Sequence, residues 1–101
     1  MTVGVDRKGL NAYEAPFEEV VVPLRGFLFE HGKLRGLYVK EGIIPVTEEL
    51  PKEINEAVLR GKAKRKAIIR EIHDNDGETL EVYLEVEYQS WPVHVVHIQE
   101  A

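Results

Sequence analysis

The sequence predicts an α+β, β-rich fold: a small curled antiparallel sheet, or an OB-like partly open barrel, of five or six strands with one α-helix between strands 3 and 4. Three observations carry this reading. Leu80, Val82, Leu84, Val86 and Tyr88 alternate with Glu81, Tyr83, Glu85 and Glu87, the period of a half-buried strand. Asp74-Asn75-Asp76-Gly77 stands just before that run as a strong hairpin turn. Helical spacing of apolar residues occurs clearly only at Leu50, Ile54, Ala57 and Val58.

The 101 residues suit one hydrophobic core. The division expected is an N-terminal arm, 1–17, and a single β-rich domain, 18–101. The arm has no clear period and carries Gly4, Gly9, Asn11 and Pro16, with room for a short strand at Thr2–Val5.

The strands follow in order. Val20-Val21-Val22-Pro23-Leu24 is β-branched, and Pro23 places it on an edge or at a bulge. Gly26–Glu30 is read as its continuation after a kink at Arg25-Gly26. His31-Gly32 turns the chain, because Gly accepts a positive φ, and Lys33–Lys40 returns as the partner strand. Glu41-Gly42 turns again into a short third strand, Ile43–Val46.

A helical region is expected near residues 48–60. Thr47 is a candidate N-cap, Glu48 and Glu49 suit the positive end of the helix dipole, and the regular helix is expected from Pro51 to Arg60. Gly61 supplies the stop. The hairpin Lys64–His73 and Thr79–Gln89 comes next. Ser90-Trp91-Pro92 is then read as a break in the sheet, and Val93–Ile98 as a last strand on an edge or in a dimer contact.

Charge is distributed unevenly. All 13 Lys and Arg residues lie at or before Arg70, so the first 70 residues carry +3 and the remaining 31 carry −8. Pairing the basic strand before the turn with the acidic strand after it neutralises both and fixes register.

Composition limits the chemistry. There is no cysteine, hence no disulfide, thiolate nucleophile or cysteine-ligated metal. Ser90 is the sole serine and lies in no nucleophile elbow, and no phosphate-cradling glycine loop occurs. The carboxylates of the acidic strand alternate outward, where nothing equips them as general acids. Asp74–Glu78 partly resembles a calcium loop, but expected strands flank it and turn chemistry accounts for it. No apolar run can span a bilayer and no secretory pattern opens the chain, so a cytoplasmic protein without membrane association is expected.

Three functions remain. The first is a small non-enzymatic protein-interaction or regulatory module, homodimeric, binding through the uncharged last strand and Trp91, with Trp91, His94 and Val96 as contact residues. The alternative is a nucleic-acid-binding barrel using Arg35, Lys62, Lys64, Arg65, Lys66 and Arg70, against which the net charge of −5 weighs. The third is a metal-dependent enzyme around His73, His94 and His97. Its weakness is that His94 and His97, three apart on a strand, point to opposite faces. No cofactor is expected.

One resemblance bears on the alternative. Ile43 to Tyr88, a strand, then Pro51-Lys52-Glu53-Ile54 opening a helix, then two strands, resembles the second half of HIRAN domains, which are OB-like DNA-end binders. The resemblance covers less than half of the chain. It implies an OB-like fold and DNA as partner. The Asn-Pro-x-Asp signature that precedes this segment in the family is absent here, the first half has no counterpart, and the chain is assigned to no family on these residues.

Overall fold

The computed structural model describes residues 3–6, 10–12, 17–75 and 77–99. The protein is small and mostly β, with antiparallel sheets and one helix among the described residues. The element order is β1 (Val3–Asp6), β2 (Leu10–Ala12), β3 (Phe17–Pro23), β4 (Gly26–Glu30), β5 (Lys33–Val39), β6 (Gly42–Pro45), α1 (Lys52–Leu59), β7 (Ala63–Asp74), β8 (Gly77–Val86) and β9 (Gln89–Gln99). Strands β1 and β2 pair with each other, β4-β5-β6 form a small sheet, and β3-β7-β8-β9 form a large one.

The first correction concerns the kink at Arg25-Gly26, which divides two strands rather than bending one. β3 belongs to the large sheet and β4 to the small one, so the helix follows the fourth strand from Phe17 onward, not the third. The physical reason lies in β7. Ala63 pairs with Val86 and Ala67 with Leu84, which leaves Lys64, Arg65 and Lys66 opposite Glu85 alone. This bulge meets the departing chain: Leu24 N donates to Arg65 O at 2.9 Å, and Arg65 Nη2 donates to Arg25 O at 2.8 Å. Arg25 N then donates to Tyr38 O and enters the small sheet. The two sheets pack face to face and are not closed into a barrel.

Leu24, Leu34, Leu37, Val46 and Val58 meet Ala67, Val82, Leu84, Val86 and Val93 in one core. Leu37, Ala67, Leu84 and Val93 have no exposed surface at all. The small sheet and helix cover only part of the longer large sheet. Towards the β7–β8 turn, Val20 and Ile98 lie on the core-facing side yet stay 56% and 59% exposed.

Helix α1 begins at Lys52 with Pro51 before it and no side-chain cap, so Thr47 is not its N-cap. Thr47 N instead donates to Val93 O at 2.8 Å, which ties the connection to β9. At the other end Gly61 has φ +82, Gly61 N bonds Val58 O and Lys62 N bonds Ala57 O, the paired bonds of a Schellman motif. Leu50, Ile54, Ala57 and Val58 face the core as their spacing predicts. Asn55 is buried among them. Its Oδ1 accepts from Leu34 N at 2.8 Å and its Nδ2 donates to Leu50 O at 3.2 Å, locking the helix to β5.

Two further corrections concern the last strands. β8 ends at Val86, and Glu87-Tyr88 forms a two-residue turn in which Glu87 has φ +58 and Tyr88 projects fully into solvent. β9 then runs unbroken through Ser90-Trp91-Pro92. Pro92 is tolerated because β9 is an edge strand and the next residue, Val93, is an extra residue in the ladder, a bulge between Tyr83–Pro92 and Val82–His94. No helix among the described residues is long and apolar enough to cross a membrane.

Candidate functional site: the outer edge of the last strand

The site follows from which backbone groups of β9 face its neighbour and which face away. Across the two-residue turn, Val86 and Gln89 form the first pair of the hairpin. Such a pair exchanges both backbone hydrogen bonds, and the pattern alternates along an antiparallel ladder. Leu84–Trp91 is therefore also bonded. Beyond the bulge, His94, Val96 and Ile98 face β8 with their backbone groups, opposite Val82, Leu80 and Glu78. The backbone groups of Val95, His97 and Gln99 then point outward.

The near part of this edge is sealed. Val93 O accepts from both Thr47 N at 2.8 Å and Glu48 N at 3.1 Å. Past Val93, no strand pairs with β9 on this side among the described residues. The exposed ladder from His94 to Gln99 carries no Asp, Glu, Lys or Arg. Val96 and Ile98 stand with His94 on the core-facing side, and Val95 with His97 and Gln99 on the other.

Of the three contact residues expected from sequence, Trp91 packs against the core as a half-buried plug and leaves its Nε1 buried without a hydrogen-bond partner among the described residues. His94 lies on the core-facing side with Nδ1 3.1 Å from Thr47 Oγ1. Val96 is half-buried beside Leu80. All three lie on β9, but only His94 and Val96 belong to its open stretch. Thr47 and Val93, which decide where the edge opens, give no signal in sequence beyond the β-branched character of Val93.

The basic residues are arranged differently. Lys64 and Lys66 both place Nζ near Glu85 Oε1, at 3.9 and 3.8 Å. Arg70 donates to Glu19 Oε2 from Nε at 3.1 Å and from Nη2 at 2.8 Å, lies 4.0 Å from Glu81 and stacks 5.4 Å from the centre of the Tyr83 ring. That bond to Glu19 raises the Arg70 guanidinium further above its ordinary value. Arg65 is engaged with Arg25 O at the sheet junction. Arg35 and Lys62 form no ion pair with a described residue. Four of the six cations are thus bound to acceptors of the chain itself.

The histidines do not converge. His73 pairs with Glu78 across the hairpin, Nδ1 to Oε1 3.4 Å, while His94 stands opposite Val82, about 13 Å further along β8 at ~3.3 Å per residue. His97 lies on the opposite face, its Nδ1 2.8 Å from Thr79 Oγ1. No group of three His, Cys, Asp or Glu residues could hold a metal ion among the described residues. The hairpin tip residue Asp76 lies outside the described residues.

No known protein family, no curated protein and no solved structure matches the chain.

Proposed function

We propose that the protein is a small interaction module that docks a strand of a protein partner along the outer edge of β9, from His94 to Gln99. The observation that carries this reading is a ladder that is unpaired among the described residues, holds no Asp, Glu, Lys or Arg, and has valine or isoleucine on each face. Soluble proteins ordinarily blunt such an edge with charge, proline or a covering element. Strand addition draws its affinity from main-chain hydrogen bonds and its specificity from alternating side chains, and this edge offers both. The lack of cysteine fits a reducing compartment such as the cytosol.

Selection of extended peptides against the purified protein tests the reading. Binders should protect the Val95 and His97 amides from hydrogen exchange. Val95→Lys should weaken them by about tenfold or more, since lysine on an edge opposes strand addition. The fold should survive, because Val95 is partly exposed and stands opposite Glu81, which can pair with the new cation. Binders that map elsewhere, or ignore Val95→Lys, would remove the proposal.

A further inference from the structure

Resting on that reading of β9 as a docking edge, we infer that its occupant is a second copy of this chain, paired antiparallel through β9 with a two-fold axis at His97.

Register follows from the backbone. Only residues whose groups point outward can bond across a new interface, and these are Val95, His97 and Gln99. An antiparallel pairing of identical strands must place outward residues opposite outward residues. A dyad at Val96 would pair Val93 with Gln99, but Val93 O is already taken by Thr47 and Glu48. A dyad at His97 places no residue of the second copy's β9 opposite Val93. It pairs Val95 with Gln99 of the second copy, Val96 with Ile98 of the second copy, and His97 with its own equivalent.

The composition of the edge favours a copy of itself. A two-fold interface presents the same surface from both sides, so any fixed charge near the axis meets its own kind. β9 has none between Gln89 and Gln99, whereas β3, the other edge of the sheet, would bring Glu18 and Glu19 twice. The apolar partners are likewise self-complementary, since Val96–Ile98 occurs twice.

Packing supplies the second argument. The axis of an antiparallel strand pair runs perpendicular to the sheet, so the core-facing sides of both copies lie on one side of an eight-stranded sheet. The part of that side left uncovered in each copy, with Leu80, Val96 and the 59% exposed Ile98, then lies beside the small sheet of the other. There β6 is the small-sheet strand that contacts β9, so it stands nearest the second copy. Each copy borrows the layer it lacks.

One position gives opposite outcomes. In sedimentation velocity the chain should show twice its 11.6 kDa mass, dissociating on dilution. The chain has no cysteine, so His97→Cys creates a single thiol. Bonded pairs stand about 5.5 Å apart at Cα, and a short bifunctional thiol reagent should link the dimer covalently. His97→Lys sets two cations opposite each other and should weaken self-association about tenfold or more. Both variants lose the same contact to Thr79, and equal thermal melts at low concentration would confirm that the fold is shared. A His97→Cys variant that stays unlinked, or a dimer indifferent to His97→Lys, overturns the inference. A wild-type monomer at every concentration also overturns it, and if selected peptides still bind that monomer at β9, the docking reading stands without the second copy.

Discussion

Strands β3 and β9 close the two sides of one four-stranded sheet, and they are finished in different ways. β3 is short, carries Glu18 and Glu19, and ends at Pro23. Its outward backbone groups, by the same alternation that governs β9, belong to Phe17, Glu19, Val21 and Pro23, so the missing N–H of proline falls on the open side. β9 is longer, with Pro92 also turned outward but no fixed charge. Among the described residues it is covered only as far as Val93. The lesson is that edge protection is local: a proline and two backbone N–H groups seal the first half of β9, and among the described residues nothing comparable follows.

Three measurements sharpen that contrast, beyond the binding tests above. The largest expected effect comes from the boundary of the seal. Val93 has no exposed surface, so Val93→Ala should cost about 2 kcal/mol in urea unfolding through lost burial and an unfilled space. Val95→Ala, two residues on and 37% exposed, should change stability by less than about 0.5 kcal/mol. Equal effects would mean that the edge is not divided at Val93.

A smaller effect should come from β3. Glu19→Gln keeps shape but removes the charge that receives both Arg70 bonds, and an exposed ion pair of this kind is worth roughly 0.2–1 kcal/mol. Amide exchange should quicken along β3 and leave β9 unchanged. Loss of protection on both edges would show that the ladder between them acts as one unit.

The smallest effect is a titration. Burial pushes the Tyr83 phenol above its ordinary value of 10.0, reinforced by the Glu81 carboxylate and its hydrogen bond, and opposed by Arg70. A group raised on folding contributes stability below its unfolded value and loses it as pH rises through the folded one. Alkaline unfolding should therefore begin slightly later in Tyr83→Phe than in the wild type, and the phenolate absorbance lost in that variant should belong to an ionisation above pH 10.0. An ionisation missing from Tyr83→Phe that lies at or below pH 10.0 would contradict this.

Much of the fold was legible because its elements are local. Alternation along Leu80–Val86 and the turn at Asp74–Gly77 defined the central hairpin, and the stripe from Leu50 to Val58 with Gly61 behind it defined the helix. The turn at Glu87-Tyr88 was hidden, since neither residue is a turn former and Glu87 adopts a positive φ that only the pairing around it sustains. Ser90-Trp91-Pro92 read as a break because proline is judged against a central strand, and nothing in its own neighbourhood announces an edge.

By itself, then, the sequence determined the antiparallel hairpin, its charge pairing and the amphipathic helix, each of which depends on neighbours a few residues apart. Only the tertiary structure decided that β3 and β4 part into two sheets at the Arg65 bulge. It also decided that Trp91 is a plug, and that the seal from Thr47 and Glu48 stops at Val93. These rest on contacts across tens of residues, where hydrogen-bond direction and burial are set by packing and carry no periodic trace along the chain.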